Sequence, residues 1–227
     1  MRARSVHSLI IAVLFAAVTS VAGAGSAHAQ EAAAAVSSEQ TPDESTGGEY
    51  DQAVATVESL HAVLLDSMQR ADELGFEGRY RNISDVLDRT FDLGFMARTS
   101  IGKTWKELDD TQRIAWVEQS KRYSASNYAK NFDGWSDQSF ATLGTEPAAH
   151  GTVVVLTELV QPTDKNVKLD YRLRRSDDEW RIIDVKLDGK VSEITLRRSD
   201  YRSVIERRGF EQLMADLEDK IENMSEQ

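Results

Sequence analysis

Val167-Lys168-Leu169-Asp170-Tyr171-Arg172-Leu173-Arg174 is the stretch that decides how this chain folds. Apolar and charged residues alternate without a break. A period of two sends Val167, Leu169, Tyr171 and Leu173 to one face and the charges to the other, which is the pattern of a half-buried antiparallel strand. Working backwards, Thr152 to Val160 is a second candidate, with Val153, Val155, Thr157 and Leu159 on one face. Ser139 to Gly144 is a third, with Pro147 and Gly151 in the turn between them. Pro162 and Asp164 mark the next turn. Asp177-Asp178-Glu179 then turns the chain into a fourth strand, Trp180 to Leu187, which Asp188-Gly189 ends. The expectation is a four-stranded antiparallel meander.

On both sides of the meander the period changes to that of a helix. Tyr50, Val54, Val57, Leu60, Leu64, Met68 and Ala71 recur at intervals of three and four. Gly75 and Gly78 are expected to end that helix, and Tyr80, Ile83, Val86 and Leu87 to begin a shorter one. Asp109 with Gln112 three residues later reads as a capping box that opens a long helix. That helix reaches about Phe132 and stops at Gly134. After the meander, one helix spans about Val191 to Arg208, and Gly209 separates it from a last one carrying Phe210, Leu213, Leu217 and Ile221. Helices, then strands, then helices is an α+β order. The predicted architecture is a curved four-stranded antiparallel sheet wrapped by N- and C-terminal helices, a roll with an apolar interior cavity.

The ends of the chain bear on compartment. Arg2 and Arg4 precede an apolar run from Leu9 to Val18, and Ala27-His28-Ala29 has the small-x-small form of a cleavage site. Residues 1–29 therefore read as a signal peptide with Gln30 as the mature N-terminus, and the product as an exported, periplasmic protein. Residues 30–50 hold Glu31, Glu39, Asp43, Glu44 and Glu49 and no basic residue, the composition of an acidic disordered linker. Residues 51–227 are long enough for one domain with a core. Loss of Arg2 and Arg4 makes the formal net charge of -11 two units more negative. Such a chain repels phosphate backbones, so nucleic acid is not expected as a partner.

Catalytic equipment is sparse. The chain has no cysteine and four histidines, His7, His28, His61 and His150. They show no metal-ligand spacing, and the chain carries no nucleotide-binding or hydrolase motif, so no metal and no cofactor are expected. Asp184, within the apolar run Trp180-Arg181-Ile182-Ile183-Asp184-Val185, is the carboxylate to watch. It reads either as a base with a raised pKa or, with Arg181 and Lys186 nearby, as a strand carboxylate in an ion pair or at a helix end.

Two features look like binding. In the long helix, Ser120, Ser124 and Asn127 interrupt the inward stripe beside Tyr123 and Tyr128. Small side chains among large ones leave volume that a packed core fills. Arg197, Arg198, Arg202, Arg207 and Arg208 crowd one C-terminal helix of an acidic chain. That helix face is either solvated, with pairing to Asp200 and Glu206, or a docking patch.

Taken in order, Phe91-Asp92-Leu93 with Met96-Ala97-Arg98, Gly102, Trp105, Leu108 and Gln112-Arg113 resemble the MlaC-type (toluene-tolerance) periplasmic lipid-binding family. Tyr128-Ala129, Tyr171-Arg172-Leu173, Trp180 to Val185, Gly189 and Ser192 continue the likeness, and Phe210 to Lys220 is similar to its closing helix. Ala71 to Tyr80, Phe132 to Ser136, and Ser192-Glu193-Ile194 with Arg197-Arg198-Ser199 resemble the hopanoid-associated HpnM branch. Where the common form of the family has Asn-Tyr-Arg, this chain has Leu196-Arg197-Arg198, a departure that turns the expected ligand from a glycerophospholipid towards a polycyclic triterpenoid. The resemblance implies a cystatin-like roll. It also implies a lipid held between sheet and helices, and exchange with an inner-membrane transport complex and an outer-membrane acceptor.

The resulting expectation is a monomeric carrier of a hopanoid or phospholipid with no catalytic step. Phe95, Met96, Trp105, Tyr123, Tyr128, Val155, Tyr171, Ile194, Tyr201 and Ile205 are the expected cavity residues, and the five arginines the expected docking residues. Its rivals are an enzyme acting on an apolar isoprenoid, with Asp184 as base and Tyr171 as oxyanion donor, and a structural adaptor with a filled core.

Overall fold

The computed structural model of the chain describes Gly48 and residues 50–226. The expected signal peptide, and the expected acidic linker apart from Gly48 and Tyr50, lie outside the described residues. The elements run α1 (Asp51–Gln69), α2 (Ala71–Thr90), α3 (Leu93–Ile101), a 3-10 turn (Gly102–Lys106), α4 (Asp110–Asn131), β1 (Ser139–Ala148), β2 (Thr152–Val160), β3 (Val167–Ser176), β4 (Glu179–Leu187), β5 (Val191–Ser192), α5 (Glu193–Arg208) and α6 (Phe210–Ser225).

The sheet is α+β in context and antiparallel throughout, in the order β1-β2-β3-β4-β5. Among the described residues it has five strands where the sequence pattern predicts four, and it is open, with β1 and β5 at its edges. The extra strand is two residues long. It pairs Ser192 with Lys186 and Val191 with Leu187, so the C-terminal helix starts at Glu193, two residues past the expected Val191. Ser192 sets that start as N-cap, its Oγ accepting from the Thr195 amide at 3.2 Å. The β3–β4 connection is two residues, Asp177 and Asp178, both at positive φ (49° and 65°). That backbone matches the twist of the strands it joins.

β1 is longer than predicted. It continues past a bulge between Thr142 and Gly144 and includes Pro147, which is tolerated because β1 is an edge strand. The first helix is shorter than predicted and ends at Gln69. Gly75 does leave helical geometry (φ 59°, ψ -174°), but inside α2, and Gly78 is an ordinary helical residue there. The capping box of α4 forms as read, with the Gln112 amide donating to Asp109 Oδ1 at 2.8 Å and the Asp109 amide to Gln112 Oε1 at 3.1 Å.

One face of the sheet is covered by helices. Val153, Val155, Thr157 and Leu159 of β2 and Val167, Leu169, Tyr171 and Leu173 of β3 are all buried, as their alternation predicts. They meet Ala53, Val57, Leu60, Leu64 and Met68 of α1, with Ile83, Val86 and Leu87 of α2, in the larger of two apolar clusters. The smaller cluster draws on helices and one loop residue: Ala97 and Ile101 of α3, Leu108 before α4, Trp116 and Tyr123 of α4, Tyr201 and Val204 of α5, and Leu213, Leu217, Ile221 and Met224 of α6.

Candidate functional site

The two clusters meet along α3, which belongs to both. Leu93 and Met96 pack into the sheet cluster, and Ala97 and Ile101 into the helical one. The start of α3 is clamped to the sheet. The Asp92 amide donates to the Ile182 carbonyl at 2.9 Å, and Asp92 Oδ1 caps the helix by accepting from the Phe95 amide at 2.9 Å. Arg174 of β3 binds Asp92 Oδ2 through Nε at 3.0 Å, and its guanidinium lies 4.3 Å from the Phe95 ring centroid. The middle of α3 is held by Trp116, whose Nε1 donates to the Ala97 carbonyl at 2.8 Å.

Where α3, α4 and α5 converge there is a small cavity. Leu93, Met96, Ala97 and Ile194 supply apolar wall, and Ser100, Ser120, Ser124, Arg197 and Tyr201 supply polar wall. Its volume is about 10 Å³, on the scale of a single water. An apolar cavity of roughly several hundred Å³, the size expected for a small-molecule site, is therefore not what this seam holds. Ser120 and Ser124, whose small size predicts unfilled volume in α4, do face that volume, and the Ser120 hydroxyl is buried with no hydrogen-bond partner among the described residues. Asn127 does not line the cavity; it accepts from Asn131 Nδ2 through its carbonyl at 2.6 Å.

Of the ten expected cavity residues, Met96, Ile194 and Tyr201 line this space. Phe95, Tyr128, Val155 and Tyr171 pack in or against the sheet cluster, and Trp105, Tyr123 and Ile205 in or against the helical one. Tyr128 stacks on Phe132 with centroids 5.6 Å apart. Trp105 lies beneath the Arg113 guanidinium at 5.7 Å.

The arginines separate into two groups. Arg198, Arg202, Arg207 and Arg208 are exposed on α5. There Arg202 pairs with Glu206 at 2.7 Å, Arg207 bonds Ser203, and Arg208 pairs with Asp216 of α6. Arg197 departs from that patch. Its side chain is 15% exposed and turned inward to an ion pair with Glu193, itself 2% exposed. Its Nη1 also donates to Ser124 Oγ at 3.1 Å, and its guanidinium sits 5.6 Å from the Tyr123 ring centroid. Burial raises the Glu193 pKa against the opposing pull of Arg197. Burial also works to lower the Arg197 pKa, but Glu193 and the surrounding tyrosines outweigh it and hold the cation charged. The residue types of this pair stand four apart in the sequence, a visible helical spacing; its burial is what the sequence pattern conceals.

A second buried polar contact lies in the sheet cluster. His61 of α1 shares a hydrogen bond with the Tyr171 hydroxyl across 3.1 Å and stacks on Phe140 with ring centroids 4.0 Å apart. Burial lowers its pKa to about 3, so the ring is neutral.

Asp184 and Tyr171 are not assembled as a catalytic pair. The register sets Tyr171 opposite Val185 on one face of the sheet and Asp184 opposite Arg172 on the other. Asp184 Oδ1 accepts from the Ile194 amide at 3.2 Å, holding the first turn of α5. Among the described residues no group of three acidic, His or Cys side chains is placed to hold a metal ion, and no helix is long and apolar enough to cross a membrane.

Residues 58–219 match the model of the MlaC protein family. The chain belongs to the MlaC family. A solved structure sharing its fold is the phospholipid-binding protein from Ralstonia solanacearum in complex with a phospholipid. The TM-score is 0.66 at 19% identity, covering 75% of this chain and 97% of that one. No curated protein matches the chain. Membership of the MlaC family makes this a lipid-binding fold, with the α3–α4–α5 seam at the junction of its two cores.

Proposed function

We propose that this chain is a periplasmic lipid carrier. It takes a hopanoid or a phospholipid between its sheet and helices and shuttles it between inner and outer membrane as a monomer. The observation that carries this reading is the division of the interior into two apolar clusters that meet at a seam walled by helices. Parting such a seam exposes apolar surface to a guest without unpairing a strand. The Ralstonia protein of the same fold is described as bound to a phospholipid. The HpnM-like segments, Ala71 to Tyr80 and Ser192 to Ser199, favour a hopanoid.

The energetics suit transport. Each methylene removed from water is worth about 0.8 kcal/mol, so a long hydrocarbon crosses an aqueous gap only when enclosed. Release requires that no covalent bond form, which agrees with Asp184 acting as a tether for α5. On this reading the seam closes when empty and α5 swings away when loaded. The exposed arginines Arg198, Arg202, Arg207 and Arg208 form the docking face for the membrane-bound partners. The leader at residues 1–29 directs export and is cleaved. Native mass spectrometry of protein purified without detergent is expected to show one bound lipid per chain. Finding no lipid, together with no uptake from vesicles, refutes the carrier.

A further inference from the structure

We infer that residues 31–49 of this chain dock on the outer face of α5, with their carboxylates on Arg198, Arg202 and Arg207, so that the protein screens its own arginine face. The contact itself is independent of the carrier reading above. Only its consequence rests on that reading: a membrane-bound partner has to displace the segment to reach the docking face.

The face is a groove of about 480 Å³ along α5, lined by Arg198, Arg202 and Arg207, by Ser199 and Ser203, and by one carboxylate, Glu206. Arg202 takes that carboxylate at 2.7 Å. Arg207 bonds Ser203, and among the described residues neither it nor Arg198 has a carboxylate within ion-pair distance. Arg198 is seated on bare backbone. A Cβ added at Gly102 would come within 3.0 Å of its Nη2, and Gly102 has the left-handed φ of 55° that glycine tolerates. Lys103, next in the chain, belongs to the same face. The Glu206 carboxyl is held below its ordinary range by its bond to Arg202 and, more weakly, by Lys103.

Charge and tether name the occupant. Residues 50–227 hold 25 basic and 33 acidic residues, so the domain as a whole repels an acidic segment. On α5 the balance reverses, with five arginines against Glu193, Asp200 and Glu206. Residues 31–49 carry five acids and no basic residue. The segment also joins the domain at a suitable place. Tyr50 packs edge-on against Trp180 at the start of β4, with centroids 6.0 Å apart, and on the same strand Asp184 holds the first turn of α5. From Tyr50 to the groove is on the order of 30 Å, counted along strand and helix. Glu31 stands 19 residues before Tyr50, and a chain of that length reaches up to about 60 Å. Exposed ion pairs are individually weak, so a free acidic peptide gains little here. A tethered one is offered at an effective concentration on the order of millimolar.

The chain has no cysteine, so Ser38→Cys gives a single attachment point for a nitroxide label beside Glu39. In the mature chain, isotope-enriched for NMR, the amide signals of Arg198 to Arg207 are expected to lose intensity at about 0.01 M salt. They are expected to recover at about 1 M, where the Debye length falls from about 30 Å to about 3 Å. Glu39→Gln, Asp43→Asn and Glu44→Gln together are expected to abolish the loss. Arg198→Gln, Arg202→Gln and Arg207→Gln together are expected to do the same; the segment variant decides the matter should this one not fold. No loss on α5 at low salt, an equal loss over the whole surface, or a loss that survives the segment variant overturns the docking. Mixing a labelled, unenriched chain with an unlabelled, enriched one isolates contact between molecules. A loss there as large as within the labelled chain makes a second copy the occupant and overturns the inference. No lipid enters the assay, so each of these failures leaves the carrier standing.

Discussion

One buried side chain, His61, should cost this protein stability when the pH is lowered from 7.5 to 5.0. His61 is 5% exposed and sealed between Tyr171 and Phe140, and burial moves its pKa from 6.5 to about 3. In the unfolded chain it binds a proton near 6.5. Between those values the unfolded state carries more protons than the folded one, so stability rises with pH. The contribution is fully present above 6.5 and is lost as pH falls towards 3. At pH 5 the unfolded ring is about 1.5 units below its own pKa, and at 1.36 kcal/mol per unit the loss is about 2 kcal/mol. The assay is urea unfolding of wild type and His61→Gln at both pH values. Wild type should lose about 2 kcal/mol more than the variant. Glu193, Asp170 and Asp200, whose pKa values burial raises, act with the opposite sign, but they are present in both chains and cancel in the difference. Equal losses in the two chains refute a buried neutral His61.

Three other perturbations probe the rest of the molecule. Trp116→Ala removes a fully buried ring and its bond to the Ala97 carbonyl, and calorimetry should show a loss of about 3–5 kcal/mol. Asp184→Asn keeps an oxygen for the Ile194 amide, so chemical denaturation should fall by under about 1 kcal/mol with lipid loading unchanged; loss of isoprenoid turnover in that variant supports the enzyme instead. Reversing Arg198 and Arg202 to Glu should slow lipid transfer to membrane-bound acceptors at low salt and much less at high salt, while the lipid already bound stays the same.

Local order was legible where a single element decided it. The alternation of Val167 to Arg174 predicts β3 and its buried face, and the Asp109–Gln112 pair predicts the start of α4, because both signals act between near neighbours. The break after α1 was not legible. Gly75 advertises a turn, but the chain turns first at Arg70 (φ -105°, ψ 21°), where no special residue stands. β5 escaped for a related reason, since two residues have no period and Val191 fits a helical stripe as well as a strand. His61 carried a usable signal, lying three residues before Leu64 and four after Val57 on the buried face of α1. Arg197 carried a misleading one. Its neighbours Arg198, Ser199 and Asp200 read as solvated surface, and only the packing of α5 against α3 and α4 shows that one arginine of the group turns in.

The free edge of the sheet has a consequence for how the protein behaves in a crowd. β1 presents ten residues of backbone, enough to recruit a strand from a second molecule. Pro147 removes a donor from that edge, and the bulge at Thr142–Gly144 breaks its repeat, so an incoming strand finds no continuous ladder. Pairing of two copies along this edge is therefore disfavoured, and contact between copies at high concentration falls to side chains and not to strand addition.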